Sequence, residues 1–488
     1  MLIKRPNLFL WLTLVVAWFF DFLFWEKPIG ISFLLFVSIT VGVGLWLAKS
    51  QTVKPAWESL WLLVPIGFFS AMTFIRMEPL TMFLNIFTTL VLLGVFANSF
   101  IGGQWWRYTL KNYFTGGINL GASILARQII LFTEQKKQLN SPQVDRVNMK
   151  TFWSIVRGLI IALPILAIFS GLLSSADPIF EQRLENILQF FQIEHLIEYF
   201  FRGILILIIA YLLLGAFLHS IYKNHDAGIG KEEKPWILRF LGFTEASIIL
   251  GSVVLLFASF VAIQFQYFFG GNANISEIGY TYSEYARRGF GELITVSLFS
   301  LFLFLGLSLV TKRESKKKKE FFSGLGILLV GLVGVMLVSS FQRLTLYEAI
   351  FGFSRLRAYS HVLIIWLGFL LLAVVILELR QKQQFFALMA VIACVGYGVS
   401  LNFLNVDGFI AKKNVARIAT GSTLDIGYLA SLSDDVVPIL MDSYTTKPSS
   451  QIAGAIACHA NRNHTDERVY TWQSFNLSRL RSKQIRET

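Results

Sequence analysis

Two stretches of the sequence combine arginine, glutamate and tyrosine in a pattern that could bind an anion or join two segments of the protein. They are "TYSEYARRGFGEL" (residues 281–293) and "QRLTLYEAIFGFSRLRAYSH" (residues 342–361), and each leads into a long apolar run. The planar guanidinium of arginine presents a fork of N–H donors that suits carboxylates and phosphates. A glutamate beside such a group can complete an ion pair or act as an acid or base.

The first stretch has the spacing of one helical face. Thr281 and Glu284 fit a capping box, which predicts a helix that starts near residue 281. Tyr285, Arg288 and Glu292 then follow one stripe at i, i+3 and i+7. The i,i+4 interaction between Arg288 and Glu292 contributes only a few tenths of a kcal/mol when exposed. We therefore expect a second partner for Glu292.

The second stretch supplies that partner. We predict that Glu292 is charged and paired with Arg343, Arg355 or Arg357, because forked donors suit a carboxylate in two-point contact. Two interpretations of the whole set stay open, a structural clasp between helices and a site for an anionic small molecule or lipid head group. The candidate binding or partner-contact residues are Tyr285, Arg288, Glu292, Arg343, Tyr347, Glu348, Arg355, Arg357, Asp407 and Asn414.

Composition shows which elements must position these residues. Of the 488 residues, 55% are hydrophobic and 15% are charged, against roughly 45–50% and ~25% in soluble domains. The apolar residues fall in runs of about 20, the length that crosses ~30 Å of hydrocarbon as a helix. The sequence predicts an all-α, polytopic transmembrane helix bundle with about 11 spans and a small helical C-terminal extramembrane region. The spans lie near 8–25, 29–48, 57–75, 80–101, 152–175, 199–219, 245–269, 290–310, 321–340, 360–379 and 384–402.

The distribution of lysine and arginine predicts the orientation. With the N-terminus in the cytoplasm, the inside segments carry 23 of these residues and the outside loops carry 8, as the positive-inside rule requires. An odd number of spans then places the C-terminus and the two arginine-rich stretches on the extracytoplasmic side. The net charge of +13 is explained by cytoplasmic loops, so nucleic acid is not an expected partner.

Four segments follow from this pattern. We expect an N-terminal four-span membrane region (1–101), a cytoplasmic loop with an amphipathic helix (102–151), a seven-span membrane core (152–402) and an extracytoplasmic helical region (403–488). The segments 118–138 and 178–198 are each predicted as an amphipathic helix, either on the membrane surface or packed on neighbouring loops. Three ionisable residues near span ends, Asp21, Arg157 and Arg202, are interpreted as snorkelling side chains.

Signatures of catalysis and metal binding are missing from the sequence. It contains no HExxH, GxSxG, CxxC or glycine-rich phosphate loop. Cys458, His459 and His464 lack a fourth ligand at a standard spacing. We therefore predict no catalytic residues, no metal ligands and no cofactor.

Several spaced motifs resemble a known family. They are "YARRGFGEL", "RLTLYEAIFGFSRLR", "LNVDGFIAKKNVAR", "LDIGYLASLSDDVVPIL" and "WQSFNLSRLR". Over residues 200–488 the chain resembles a family of bacterial multi-pass membrane proteins known only as a domain of unknown function. The resemblance implies a bacterial cytoplasmic (inner) membrane protein and implies no activity.

Three function classes remain. A scaffold or regulatory protein of the envelope is favoured by the C-terminal helices, with the lipid bilayer and another envelope protein as partners. A transporter or permease for a small anionic solute is the alternative. A membrane enzyme that acts on a lipid or envelope precursor is less favoured, because the short loops leave little room for a catalytic domain.

Overall fold

The computed structural model describes residues 6–138, 158, 162, 166, 169–183, 193–222, 240–269, 290–312, 315–421, 423–464 and 470–487. Within these ranges the regular elements are helices, and one isolated bridge joins Leu241 to Thr311. We number the α-helices in chain order as α1 (Pro6–Phe24), α2 (Ile31–Ser50), α3 (Trp57–Leu60), α4 (Leu63–Ile75), α5 (Pro79–Ser99), α6 (Leu110–Gln138), α7 (Ile193–Tyr222), α8 (Phe243–Phe269), α9 (Phe290–Val310), α10 (Lys316–Phe351), α11 (Arg355–Leu379), α12 (Phe386–Leu404), α13 (Val406–Ala416), α14 (Ile426–Ser431), α15 (Val437–Thr446), α16 (Ser450–His464) and α17 (Leu477–Glu487).

Ten helical segments in the described ranges are long and apolar enough to cross a membrane. They match ten of the eleven predicted spans, and the remaining one, 152–175, lies mostly outside the described residues. The predicted fold class is confirmed: the chain is all-α, with the helices of a polytopic membrane protein. The ten segments are Pro6–Phe24, Ile31–Ser50, Trp57–Ile75, Pro79–Ser99, Glu198–Tyr222, Phe243–Phe265, Phe290–Val310, Lys316–Phe351, Arg355–Leu379 and Gln383–Leu404.

The chain forms two compact units. The first comprises Met1–Trp25, Ile39–Val53 and Asn119–Lys223. In this unit α1 packs on α7, and the buried Asp21 accepts hydrogen bonds from Nε and Nη2 of Arg202, the latter at 2.6 Å. Asp21 and Arg202 thus pair with each other, a contact that their interpretation as snorkelling side chains did not predict. Arg157 lies outside the described residues.

Helix α6 contains the predicted amphipathic segment 118–138, and its part from Asn119 onward belongs to the first unit. Its Gln128 side chain is buried and donates to the backbone carbonyl of Tyr211 in α7 at 2.6 Å. A Cβ at Gly215 of α7 would lie 2.5 Å from the Ile124 carbonyl, so glycine permits this close approach. The helix is thus packed on a span of the protein, whereas most of the second such segment, 178–198, lies outside the described residues.

The second unit comprises Glu26–Ser38, Lys54–Ile118 and Asn224–Thr488. One apolar core joins α8, α9, α10 and α11, with Leu250, Leu301, Leu329 and Leu367 buried in it. A second core joins the ends of α11 and α12 to the helices that follow them. Its buried members are Ala358, Leu401, Val406, Ile410, Ala411, Leu429, Leu432, Val436, Val437, Leu440 and Ala455.

The region 403–488 is helical through most of its described residues, as predicted, and it packs on the membrane-length helices of this unit. Near its start Asn405 has a left-handed backbone (φ 50°), which separates α12 from α13. Its later part reaches the turn between α4 and α5, where the Asn476 amide donates to the carbonyls of Thr73 and Arg76, each at 3.4 Å. Contact with that turn was not predicted. The four predicted segments themselves stay predictions.

Candidate functional site

Arg355 and Asp407 form the centre of a buried charged network. Arg355 is the first residue of α11, and Asp407 lies in the first turn of α13. Nε and Nη2 of Arg355 donate to the two carboxylate oxygens of Asp407, both at 2.7 Å. The backbone N–H of Ser433 adds a third donor at 2.8 Å. Asp407 is 0% exposed, so its charge is balanced entirely by these neighbours.

Glu78 brings the N-terminal spans into the same network. It precedes Pro79, the first residue of α5, and its carboxylate accepts from the N–H groups of Leu80 and Thr81 at 2.9 and 2.7 Å. A carboxylate in this position also meets the positive end of the helix dipole. The hydroxyl of Tyr359 donates to the same carboxylate, and Nε of Arg355 lies 3.9 Å from it.

Asp435 closes the network from the C-terminal region. Its Oδ2 atom accepts from the backbone N–H of Met77 at 3.0 Å and from the hydroxyl of Ser433 at 3.2 Å. Burial raises the pKa of Asp435 above its usual value, and the hydrogen bonds from Ser478 and Met77 oppose that rise only in part. We call Glu78, Arg355, Tyr359, Asp407 and Asp435 the Asp407 network. It fastens the C-terminal region to α5 and α11.

A second pair of titratable groups joins α10 to α11. Nε2 of His361 lies 2.8 Å from Oε2 of Glu348, and the Phe341 ring stands edge-on to the imidazole, 4.6 Å between centroids. Glu348 is 3% exposed. In the described part of the chain, Oε1 of Glu348 and Nδ1 of His361 have no hydrogen-bond partner. The pair is thus an acid and a base with one polar atom each left unbonded.

A cavity of about 230 Å³ lies between the α10–α11 turn and residues 414–417 and 423–429. We call it the Arg357 cavity. Its lining includes Phe353, Arg357, Asn414, Arg417, Asp425 and Tyr428.

The walls of the Arg357 cavity are fixed by backbone contacts. The amide of Asn414 both accepts from the N–H of Phe353 at 2.8 Å and donates to its carbonyl at 2.9 Å. The hydroxyl of Tyr428 accepts from the backbone N–H of Arg355 at 2.9 Å. The cavity is therefore built jointly by the membrane-length helices and the C-terminal region.

The predicted pairing of Glu292 is wrong. Glu292 lies in the first turn of α9 and is exposed. Among the described residues, no ion pair joins it to Arg343, Arg355 or Arg357. Arg355 instead forms an ion pair with the buried Asp407. A carboxylate without access to water costs more free energy when unpaired than an exposed carboxylate does. The other members of its stripe, Tyr285 and Arg288, lie outside the described residues, as does the predicted helix start near 281.

The remaining candidates lie in four places. Arg355 and Asp407 form the network, and Glu348 pairs with His361. Arg357 stacks over the Tyr347 ring, 4.1 Å from its centroid, while Asn414 lines the Arg357 cavity. Arg343 lies on α10 between Ser340 and Tyr347.

Sequence reasoning missed Glu78, Tyr359 and Asp435. A glutamate directly before a proline at the start of an apolar run is a capping signal that could have identified Glu78. Sequence reasoning also missed a contact between two buried amides, Asn85 in α5 and Asn402 in α12. The Asn85 amide donates to Asn402 at 3.1 Å, and the Asn402 amide donates to Asn85 at 2.7 Å. Among the described residues, no group of three or more His, Cys, Asp or Glu side chains is placed to hold a metal ion.

Comparison with known proteins gives one match. The family described as "Domain of unknown function (DUF4153)" matches residues 63–443. The match begins well before the 200–488 range of the motif resemblance, so it includes α5 and its Glu78, and it ends before the motif "WQSFNLSRLR". No curated protein and no solved structure matches the chain significantly. Since the match covers most of the chain, the protein belongs to this family of unknown function.

Proposed function

We propose that this chain is a scaffold or regulatory protein of the bacterial inner membrane, in which the region 403–488 meets another envelope component on the extracytoplasmic side. The burial of Asp407 carries the proposal. Two donors of Arg355 and the N–H of Ser433 occupy this carboxylate, so it holds the C-terminal region in place. The carboxylates of Glu78 and Asp435 also accept hydrogen bonds within the network, which leaves no free acid or base in it for catalysis.

The C-terminal region offers a surface for such a partner. Tyr444 and Trp472 are 37% and 57% exposed, and aromatic side chains of this kind are enriched in protein interfaces. The lipid bilayer is the other expected partner. The excess of lysine and arginine in the predicted inside segments supports the extracytoplasmic placement.

Photo-crosslinking in intact cells tests the scaffold role. A photoreactive residue in place of Tyr444 should give one dominant protein adduct. Asp407→Asn should strongly reduce that adduct at equal protein abundance, because the C-terminal region loses its fixed position. The exposed Asp442→Asn serves as the matched control and should leave the adduct unchanged. An adduct that Asp407→Asn does not reduce, or no protein adduct, contradicts the proposal.

Transport of a small anionic solute is the second candidate, and the Glu348–His361 pair favours it. Both residues lie in helices long and apolar enough to cross a membrane, and ionisable residues in such helices mark proton relays or solute pathways. Proteoliposomes that hold the protein would then show anion uptake driven by a pH gradient. His361→Ala should abolish that uptake and should leave the Tyr444 adduct intact. Uptake with this mutational pattern supports transport, whereas its absence beside an Asp407-dependent adduct supports the scaffold.

A further inference from the structure

We propose that the Arg357 cavity binds a phosphoethanolamine-type zwitterion, with its phosphate beside Arg357 and Arg417 and its ammonium group beside Asp425. The inference does not depend on the scaffold role, because it concerns a cavity rather than a protein-binding surface. It rests on the charges that line the cavity, on the size of the cavity and on its depth relative to the bilayer.

Arg357 is held by neutral groups among the described residues. Its Nη1 donates to the carbonyl of Gly352, and its guanidinium stacks on the Tyr347 ring. Among the described residues no carboxylate lies within ion-pair distance of it, in contrast to Arg355, which meets both Asp407 and Glu78. An arginine held by neutral groups keeps donors and a full charge for an anion.

Arg417 brings a second guanidinium to the same place. Its Nη2 donates to the carbonyls of Ala349 and Ile350 at 3.1 and 2.8 Å, at the C-terminal end of α10. A Cβ added at Gly352 would lie 2.4 Å from Nη1 of Arg417. Both arginines therefore converge on Gly352, and two converging guanidiniums suit the several oxygens of a phosphate.

The carboxylate of Asp425 favours a ligand that also contains a cation over a simple anion. Its Oδ1 accepts from the backbone N–H of Tyr428 at 2.9 Å and so caps α14. A carboxylate has about four lone-pair sites, so this cap leaves acceptor capacity toward the cavity. A phosphate alone would leave this carboxylate without a cation from the ligand, whereas a ligand with an ammonium group supplies one. The combination of two arginines and one aspartate thus selects a zwitterion.

Size and depth point to a lipid head group as the source. The volume of about 230 Å³ is below the ~300–1,000 Å³ of sites for drug-sized ligands, so it suits a small polar group. The contact between Phe341 and His361 lies where the predicted apolar runs of α10 and α11 end. Arg357 is about one helical turn, ~6 Å, beyond His361. That distance corresponds to the head-group layer of a bilayer.

Competitive lipid retention tests the proposal. The full-length protein is taken from nanodiscs that contain equal amounts of phosphatidylethanolamine, phosphatidylcholine and phosphatidylglycerol with the same acyl chains. Native mass spectrometry then reports which lipid stays bound. We expect phosphatidylethanolamine to be retained over both others, since a trimethylated ammonium cannot donate a hydrogen bond to Asp425 and phosphatidylglycerol has no cation.

Two variants with matched controls locate the site. Arg357→Gln should lower retention of phosphatidylethanolamine about tenfold, the loss expected for one charged hydrogen bond. Asp425→Asn keeps the helix cap, because asparagine caps as well as aspartate, and it should reverse the preference toward phosphatidylglycerol. Lys412→Gln and Asp442→Asn remove exposed charges of the same region outside the cavity and should change nothing. Equal thermal unfolding of the variants shows that they are folded.

Other results overturn the proposal. Equal retention of the ethanolamine and choline lipids excludes recognition of the ammonium group. An unchanged lipid preference in Asp425→Asn excludes the cavity as the site. Soluble glycerophosphoethanolamine should not displace the lipid at millimolar concentration. If it does, the proposal of a lipid ligand is contradicted, and the cavity binds a free zwitterion.

Discussion

The two-point contact between Arg355 and Asp407 joins α11 to the C-terminal region through a fully buried carboxylate. Both of its hydrogen bonds measure 2.7 Å, and the carboxylate has no access to water. Removal of one partner from a buried pair leaves an uncompensated charge, which costs about 3–5 kcal/mol. Loss of both partners costs less than the sum of the single changes.

A double-mutant cycle checks this contact. We expect Arg355→Met and Asp407→Asn each to lower the free energy of unfolding by ~3 kcal/mol, with a coupling of at least ~1 kcal/mol in the double variant. Denaturant unfolding in detergent provides the measurement. The exposed pair Lys316–Glu320, 3.9 Å apart, is the matched control, and Lys316→Met with Glu320→Gln should show no coupling. Additive effects at Arg355 and Asp407 would show that the contact contributes nothing of its own.

Asp435 gives the stability of the network a pH dependence. Burial raises its pKa above the usual 3.8, so the folded protein binds this proton more tightly than the unfolded chain does. Its contribution to stability is therefore complete below the unfolded pKa and is lost as the pH rises through the folded pKa. Asp435→Asn, which is always neutral, removes that dependence.

The expected result is a difference in unfolding temperature between the wild type and Asp435→Asn that changes with pH. Thermal unfolding from pH 4 to pH 8 should show the wild type losing stability relative to the variant as the pH rises. The exposed Asp442→Asn should follow the wild type throughout. A difference in unfolding temperature that stays constant, or that changes in the opposite direction, would contradict the raised pKa.

At the scale of elements, the turn between α10 and α11 is closed by one glycine. Gly352 has φ +80°, and its N–H bonds the carbonyl of Glu348 to end α10. A Cβ there would also meet Nη1 of Arg417 at 2.4 Å and Oδ1 of Asn414 at 2.8 Å. The backbone conformation therefore requires glycine, and a Cβ would in addition make the side chains of Arg417 and Asn414 shift.

Gly352→Ala should lower the free energy of unfolding by at least ~1–2 kcal/mol. Gly368→Ala is the matched control, because nothing lies within 4 Å of a Cβ at that position in α11, and alanine is the better helix former. The control should be neutral or stabilising in the same unfolding measurement. Equal effects at the two positions would refute the proposed role of the turn.

The helices could be predicted and their contacts could not. A span is a local signal, an apolar run bounded by charge, and ten of the predicted spans match described helices. The network joins residues far apart in the chain, such as Glu78 and Tyr359, and a single sequence contains no periodicity that pairs them. For α6 the amphipathic pattern was correct, but the pattern does not distinguish a lipid surface from the neighbouring helix α7.

At the scale of the whole molecule, the distribution of lysine and arginine makes orientation testable. Eleven spans with a cytoplasmic N-terminus place Lys317 inside and the C-terminus outside. An alkaline phosphatase fusion should be inactive after Lys317 and active at the C-terminus, with a fluorescent-protein fusion giving the reverse pattern. The same compartment for both positions would disprove the topology and would move the Asp407 network to the other side.

The contact between Met77 and Asp435 spans 358 residues of the chain. A ribosome that adds about 5–20 residues per second needs roughly 20–70 s to travel that distance. During this interval Glu78 and the N–H of Met77 already exist, Arg355 and Tyr359 are made only in its last part, and Asp435 is made at its end. Until Asp435 is made, the N–H of Met77 lacks this acceptor. A chain released before residue 435 therefore leaves the Met77 N–H without this acceptor, a feature by which a quality-control protease could tell an unfinished chain from a finished one.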